Sequence, residues 1–162
     1  MKGDAKVIEY MNRGLRSELT AINQYWLHYR ILANWGYKDL ARQWREESIE
    51  EMTHADKFVD RILFLEGFPN LQSLDPLRTG QSILEIIELD LQSELEARAL
   101  YLEAAEYCDS VRDRVTKDLF EKLATDEEDH IDFLETQLEL IKQVGVQLYA
   151  QKHIGGISPK EE

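Results

Sequence analysis

The sequence predicts an all-α fold, a four-helix bundle with one long crossover between helices two and three. Three observations lead to this prediction. The 162 residues include only 8 glycines and 3 prolines, too few for a β protein with many tight turns. Most of these glycines and prolines are concentrated at a few positions that separate four long stretches. Within each stretch apolar residues recur at spacings of three and four, which is the period of an amphipathic helix.

The first predicted helix covers about residues 4–35 and ends at Gly36, and the second covers about 38–66 and ends at Gly67. Because only Gly36 and Tyr37 separate them, these two helices form a hairpin. At 1.5 Å per residue each helix is about 40 Å long, which is normal in a large four-helix bundle.

The third predicted helix opens at Ser82, where Ser82 and Glu85 have the spacing of a capping box, and continues to about Cys108. The fourth begins near residues 110–113, another cap-like pattern, and ends before Gly145. The short link between these helices predicts a second hairpin.

The connection between the two hairpins, residues 67–81, contains two prolines and little periodicity. A loop of this length inside a compact domain needs a role. Fully extended it reaches about 50 Å, enough to run the length of the bundle and to make helices two and three parallel. We expect one domain over 1–162, with the bundle at about 4–144 and a tail at about 146–162.

Composition excludes several classes of function. Asp and Glu number 32 against 19 Lys and Arg, for a net charge of −13, so the surface repels nucleic acid and anionic membranes. The single cysteine, Cys108, cannot build a disulfide framework, a zinc knuckle or a rubredoxin-like iron site. Because the first residues are polar and no long apolar run follows, we expect a cytoplasmic protein.

Each predicted helix carries a glutamate near the middle of its apolar face. An ionised carboxylate removed from water is costly, so one such residue would indicate a misassigned face, but four indicate a common cause. Helices two and four add a histidine three residues later, on the same helix face. The residues are Glu18, Glu51, His54, Glu94, Glu127 and His130.

The spacings of these residues repeat between the two hairpins. In each hairpin the two glutamates are 33 residues apart, and a tyrosine, Tyr25 or Tyr101, follows the first glutamate by seven. Only the third helix is irregular, since its apolar face includes Arg98. Two hairpins related by a pseudo-two-fold axis would bring the four glutamates and two histidines to one depth. Unrelated surface glutamates would not repeat in this way.

Charge identifies what such a cluster would bind. Four carboxylates carry a charge of −4, which two divalent cations neutralise. Without cations the cluster must take up protons, because like charges this close cannot all ionise. Carboxylate and imidazole ligands without thiolate favour iron or manganese over structural zinc. A Glu from each of two helices, with Glu-x-x-His from the other two, is the ligand pattern of ferritin-like di-iron proteins.

Over essentially its whole length the sequence resembles the bacterioferritins. Residues 18–25 (ELTAINQY) carry the resemblance, together with 47–54 around the first Glu-x-x-His and 126–130 around the second. The resemblance implies a ferritin-like bundle and, at 146–157, a short fifth helix that closes a channel in an oligomeric shell.

The resemblance also implies roles for the six residues. Glu51 and Glu127 would bridge two iron ions, and the terminal ligands would be Glu18 with His54 on one iron and Glu94 with His130 on the other. Tyr25 matches the family's tyrosine beside the di-iron centre, where it is a hydrogen-bond partner or an electron donor. A packed core aromatic is the alternative for Tyr25.

The implied function is iron storage. Bacterioferritins are ferroxidases that oxidise Fe(II) with dioxygen or hydrogen peroxide and store the ferric mineral inside a hollow homo-oligomeric shell of 24 subunits, assembled from two-fold dimers. A ferredoxin-type protein is the candidate reductant for iron release. The sequence leaves open the oxidant and any second subunit type in the shell.

Met52 lies one residue past Glu51, rotated about 100° from it, and so cannot join the di-iron ligands. Considered alone, it indicates a methionine that packs at a surface or an interface. The resemblance implies instead that Met52 ligates haem b from both subunits of a two-fold dimer, with one haem per two subunits. A thioether is a suitable axial ligand for haem iron.

Other polar positions have two interpretations. The resemblance matches four of them to the lining of a pore between subunits, whereas alone they indicate a solvated face. These four are Asn34, Glu66, Asp132 and Thr136. Glu46 and Glu50 lie on the side of helix two away from Met52 and could face the cavity of a shell. Because some relatives have histidine at the position of Glu46, an inner-surface iron site there stays open.

Other protein classes fit less well. Haem-free ferritins lack the second Glu-x-x-His in this form. Rubrerythrins need a cysteine-rich module that a single cysteine cannot build, and miniferritins place their iron between subunits. A helical scaffold or an electron-transfer bundle would have no reason for six polar side chains that face inward.

Overall fold

A computed structural model describes residues 1–157; the predicted end of the tail, residues 158–162, lies outside the described residues. The described chain forms five helices and contains no strand, which confirms the all-α ferritin-like fold with a short fifth helix. The helices are α1 (Ala5–Asn34), α2 (Lys38–Phe64), α3 (Ile83–Ser110), α4 (Arg114–Val144) and α5 (Val146–Lys152). No helix in this part of the chain is long and apolar enough to cross a membrane.

Side-chain caps start three of the long helices. The Asp4 carboxylate accepts from the first backbone amides of α1, and the Ser82 hydroxyl accepts from the Glu85 amide of α3 at 3.1 Å. Asp113 does the same for α4, where its Oδ1 accepts from the Thr116 amide at 3.0 Å. Gly145 separates α4 from α5 with φ of 85°, a conformation that glycine adopts without strain.

The crossover makes α2 and α3 parallel, as the sequence predicted. The helices α1 and α2 pack together as a hairpin, as do α3 and α4, and α1 also packs against α3. Between the hairpins the chain runs beside α1 and parallel to it, from its N-terminal part towards its C-terminal end. Four hydrogen bonds mark its path, joining Asn70 to Asn12, Asp75 to Thr20, Arg78 to Gln24 and Gly80 to His28.

Two apolar clusters fill the bundle, one on each side of its middle. The first includes Leu15 and Phe58, and the second includes Leu32 and Trp44. The buried glutamates lie between these clusters along each helix.

The structure corrects the face predicted for the third helix. Ala97 rather than Arg98 occupies the core position after Glu94, and Asp90 is buried where the apolar pattern favoured Leu91. The helix therefore presents Glu94, Ala97 and Tyr101 to the core, and the positively charged side chain of Arg98 does not interrupt this face.

Candidate metal centre

Each helix of the four-helix bundle contributes a carboxylate to one buried cluster, and α2 and α4 each add a histidine. The six side chains expose between 0% and 4% of their surface, although all of them carry ionisable groups. They are Glu18 on α1, Glu51 and His54 on α2, Glu94 on α3, and Glu127 and His130 on α4. All six residues predicted from the sequence are thus brought together.

Both histidines direct Nδ1 into the carboxylate cluster. His54 Nδ1 lies 3.2 Å from Glu127 Oε1 and 3.4 Å from Glu18 Oε1. On the other side, His130 Nδ1 lies 3.1 Å from Glu51 Oε1, 3.4 Å from Glu127 Oε2 and 3.5 Å from Glu94 Oε1. Nδ1 of each imidazole therefore faces the space between the carboxylates, where it could bind a cation after losing its proton.

The cluster divides into two overlapping groups of potential metal ligands. One group consists of Glu18, Glu51, His54 and Glu127, and the other of Glu51, Glu94, Glu127 and His130; within each group the ligand atoms lie within 4.8 Å of one another. Glu51 and Glu127 belong to both groups. Two adjacent cations with two shared carboxylates match this arrangement, and it agrees with the bridging roles that the resemblance implies.

Several buried polar atoms of the cluster have no hydrogen-bond partner among residues 1–157. Those that face the space between the carboxylates are Glu18 Oε2, Glu51 Oε1, both carboxylate oxygens of Glu127, and Nδ1 of His54 and of His130. Buried polar atoms are nearly always paired, so a group of orphans facing one space indicates a missing ligand. Oxygen and imidazole nitrogen donors are suited to iron, and the residues present fit a di-iron centre.

In the absence of metal, protons on the buried side chains supply the positive charge that bound cations would otherwise supply. Burial, with the neighbouring charges of Glu127 and Glu18, raises the pKa of Glu51 well above its usual value. Burial opposes the charged form of both histidines, but the close carboxylates of Glu127 and its neighbours raise the pKa of His54 to about 10 and that of His130 to about 12. The pKa of Glu127 is lowered because the two histidines outweigh its burial. Metal binding must therefore release protons.

The outer nitrogen of each histidine also faces a carboxylate. His54 Nε2 donates to Asp126 Oδ2 at 3.0 Å. His130 Nε2 lies 3.1 Å from Glu47 Oε2 and 3.0 Å from Glu50 Oε2. Such outer carboxylates orient ligating imidazoles and increase their basicity. These roles were not predicted from the sequence, although the position of Glu47 one turn before Glu51 on the same face was a usable signal.

Two tyrosines donate hydrogen bonds to the cluster across the bundle. Tyr25 Oη on α1 donates to Glu94 Oε1 at 2.5 Å, and Tyr101 Oη on α3 donates to Glu18 Oε1. From the sequence, a role beside the metal centre was predicted for Tyr25 alone. The signal for the second tyrosine was that Tyr101 follows Glu94 by seven residues, as Tyr25 follows Glu18.

The remaining predicted residues lie outside the cluster. Met52 is on the surface of α2 with 45% of its area exposed. Glu46 and Glu50 are also exposed, and Oε2 of Glu50 lies 3.0 Å from Nε2 of His130. The four predicted pore residues, Asn34, Glu66, Asp132 and Thr136, are all exposed.

A cavity of about 390 Å³ beneath crossover residues Asp75 and Arg78 reaches Glu51 and Glu94.

A second buried polar cluster lies near the crossover and was not predicted. Asp90, with 1% of its surface exposed, accepts hydrogen bonds from Trp44 Nε1 and Gln24 Nε2, both at 2.8 Å. His28 Nδ1 lies 2.9 Å from Asp90 Oδ2, and His28 Nε2 accepts from the Gly80 amide at 3.0 Å. Because every one of these groups is paired, this cluster resembles a structural network rather than a metal site.

Comparisons with known proteins agree with this geometry. Residues 8–144 match the model of the ferritin-like domain family. The chain is 58% identical over 151 residues to a bacterioferritin of Brucella melitensis, covering 93% of this chain and 94% of that protein. It is 59% identical over 150 residues to the bacterioferritin of Rhodobacter capsulatus, covering 93% of each protein.

The fold agrees with a solved structure as well. A structure of Rhodobacter capsulatus bacterioferritin, described as having a metal-free dinuclear site and its haem iron in a crystallographic special position, superposes with a TM-score of 0.97 at 56% identity. The match covers 99% of this chain and all of that one. Identity this high along nearly the whole chain, combined with a ferritin-like bundle around four glutamates and two histidines, shows that the chain belongs to the bacterioferritin family.

Proposed function

We propose that this chain is a ferroxidase that oxidises Fe(II) at an intrasubunit di-iron centre and stores the ferric product as mineral. The observation that carries the proposal is the pair of overlapping ligand groups that share Glu51 and Glu127. A buried cluster of four carboxylates is unstable without compensating positive charge. Two Fe(II) ions supply that charge, and their oxidation gives the buried anionic cluster a function.

Each residue has a distinct role in this proposal. Glu51 and Glu127 would hold two Fe(II) ions next to each other. Each Fe(II) would give one electron to the same oxidant, so that two electrons and two protons convert dioxygen to hydrogen peroxide, or hydrogen peroxide to two molecules of water. Glu18 with His54, and Glu94 with His130, complete the two iron positions. When iron binds, His54 and His130 lose the protons held in its absence, and Asp126 and the Glu47–Glu50 pair keep their outer nitrogens oriented.

Storage requires an enclosed space, and we propose a homo-oligomeric shell of 24 subunits built from two-fold dimers. Closed symmetric assembly is the usual end state of soluble homo-oligomers.

The cavity that reaches Glu51 and Glu94 offers small reactants a route to the iron positions from the outside of the bundle. In the cytoplasm, the compartment predicted from the sequence, a ferredoxin-type protein would supply electrons for iron release.

Haem binding at Met52 is a second part of the proposal. The side chain is 45% exposed on α2 and lies on a different face from Glu51, so its thioether is free of the di-iron cluster. A haem shared by two copies of one chain lies on their two-fold axis. The haem iron of the Rhodobacter capsulatus structure is in a crystallographic special position, which is consistent with such sharing. We expect one haem b per two subunits.

The ferroxidase proposal is tested by Glu127→Gln. This change keeps the size of the side chain but removes the charge that both iron positions share, so rapid oxidation of the first two Fe(II) per chain should be lost. Stopped-flow absorption after mixing iron-free protein with Fe(II) and dioxygen measures the step. The matched control is Glu128→Gln, the exposed neighbour of Glu127 on α4, which should oxidise Fe(II) at the parental rate. Parental oxidation by Glu127→Gln would refute the assignment.

The haem proposal is tested by Met52→Leu. Leucine keeps the apolar volume of methionine but lacks sulfur, so specific haem ligation should disappear while Fe(II) oxidation continues. Absorption spectra of the purified shell give the haem content per chain and its ligation state. Six-coordinate low-spin haem at the parental ratio in Met52→Leu would show that Met52 is not the axial ligand.

A further inference from the structure

The tyrosine on α3 has a contact that mirrors that of Tyr25. Tyr25 on α1 donates to a glutamate of α3, whereas Tyr101 on α3 donates to a glutamate of α1. Each tyrosine comes from a different apolar cluster, Tyr101 from the one around Phe58 and Tyr25 from the one around Trp44. The two hydrogen bonds therefore approach the cluster from opposite ends of the bundle.

The ring of Tyr101 is held by an aromatic cluster. It packs between Phe58 and Phe120, with ring centroids 5.6 Å and 5.9 Å away, and the side chain is fully buried. Phe58 in turn packs directly on Gly14, where an added Cβ would lie only 2.6 Å from the ring. These contacts hold the ring in the position from which its hydroxyl reaches Glu18.

The hydroxyl of Tyr101 distinguishes the two oxygens of Glu18. Oε1 accepts the hydrogen bond from Tyr101. Oε2 is buried and lacks a hydrogen-bond partner within residues 1–157. Among the described residues, one oxygen of Glu18 thus accepts the phenol hydrogen bond and the other has no hydrogen-bond partner.

We propose that Tyr101 is a positioning residue for the metal position formed by Glu18 and His54. Its hydroxyl fixes the carboxylate of Glu18 so that Oε2 is presented to the bound cation. This inference rests on the proposed di-iron function. Because Tyr25 contacts Glu94 in the corresponding way, both metal positions have a phenol behind their terminal carboxylate, and the two positions should bind with similar affinity.

Titration of the iron-free assembled protein with Co(II) tests this proposal without any oxidation reaction. Loss of an outer hydrogen bond to a metal ligand typically weakens binding 10–100-fold. In Tyr101→Phe we expect a loss of about this size for one of the two Co(II) ions, with an altered d–d absorption spectrum for that ion alone. The other ion should keep its parental affinity.

Two further comparisons assign the effect to one position. The Tyr101→Phe loss should be additive with that of His130→Ala, which acts on the other ion, and non-additive with that of His54→Ala. The matched control, Tyr149→Phe, removes a phenol hydrogen bond to Gln137 on α4 away from the cluster and should leave both Co(II) affinities unchanged.

Three outcomes would overturn the proposal or its basis. Parental affinity for both ions in Tyr101→Phe would refute a positioning role. Equal weakening of both ions, accompanied by a lower melting temperature, would show that Tyr101 only supports the core. Failure of the parent protein to bind two Co(II) per chain would instead refute the di-iron function itself, which makes the two failures distinguishable.

Discussion

At the scale of single residues, the outer contacts of the histidines decide how the cluster presents its ligands. A histidine that binds metal through Nδ1 needs its proton on Nε2, and a carboxylate facing Nε2 favours that tautomer. Asp126 serves His54 in this way, and Glu47 and Glu50 face His130. Asp126 retains 28% side-chain exposure, so it can be changed without opening the core.

We predict that Asp126→Ala weakens metal binding at the Glu18–His54 position by about 10–100-fold, because His54 loses the acceptor that orients its ring. Co(II) titration of the iron-free protein measures the change. Asp129→Ala, an exposed carboxylate on the same helix, is the control for the lost negative charge. If Asp126→Ala bound Co(II) as Asp129→Ala does, the orientation of His54 would not depend on Asp126.

At the scale of elements, a buried network fastens the crossover to three helices. Asp90 of α3 holds Gln24 and His28 of α1 and Trp44 of α2. Gln24 Oε1 accepts a hydrogen bond from the backbone amide of Arg78, and His28 Nε2 accepts one from the backbone amide of Gly80. Since the same segment of the crossover covers the cavity above Glu51 and Glu94, the network also fixes the outer wall of the candidate metal centre.

We predict that Asp90→Ala destabilises the protein by about 3–5 kcal/mol, because it leaves buried donors of several side chains without an acceptor. The midpoint of denaturation, followed by circular dichroism at fixed protein concentration, measures the effect. The control is Asp75→Ala in the crossover, which breaks only a half-exposed ion pair with Arg16 and should cost about 0–1 kcal/mol. Similar losses in both variants would show that the network adds no more than a surface ion pair.

At the scale of the whole molecule, the described surface combines a high negative charge with exposed apolar side chains. The chain carries a net charge of −13. Its exposed large apolar residues include Trp26 at 58% and Phe68 at 86% exposure. Apolar patches favour association between copies of the chain, whereas the shared negative charge opposes it.

We predict that the iron-free protein forms shells of 24 subunits at moderate ionic strength and dissociates into smaller species, such as dimers, as salt is removed. Salt screens repulsion between acidic copies, whose range is about 10 Å at 0.1 M ionic strength and longer at lower salt. Light scattering and analytical ultracentrifugation across a salt series measure the distribution. Monomers or dimers alone at moderate salt would contradict the proposed shell.

The sequence by itself determined the helices, the crossover and the six side chains that meet in the buried cluster. Helical periodicity is a local property, so the glutamates on the apolar faces, and those faces in all but the third helix, could be assigned without a structure. The length of 67–81 required a connection that spans the bundle, and the repeated spacing of Glu18–Glu51 and Glu94–Glu127 placed four carboxylates at one depth. Local spacing together with a repeat was sufficient for these predictions.

Only the tertiary structure decided which side chains meet across the bundle. The hydrogen bond from Tyr101 to Glu18 joins residues 83 positions apart, and that from Trp44 to Asp90 joins residues 46 apart. Helix rotation also placed Ala97 rather than Arg98 in the core. Such contacts depend on how four helices rotate and slide until their side chains pack without voids, and the spacing within any one helix does not specify that outcome.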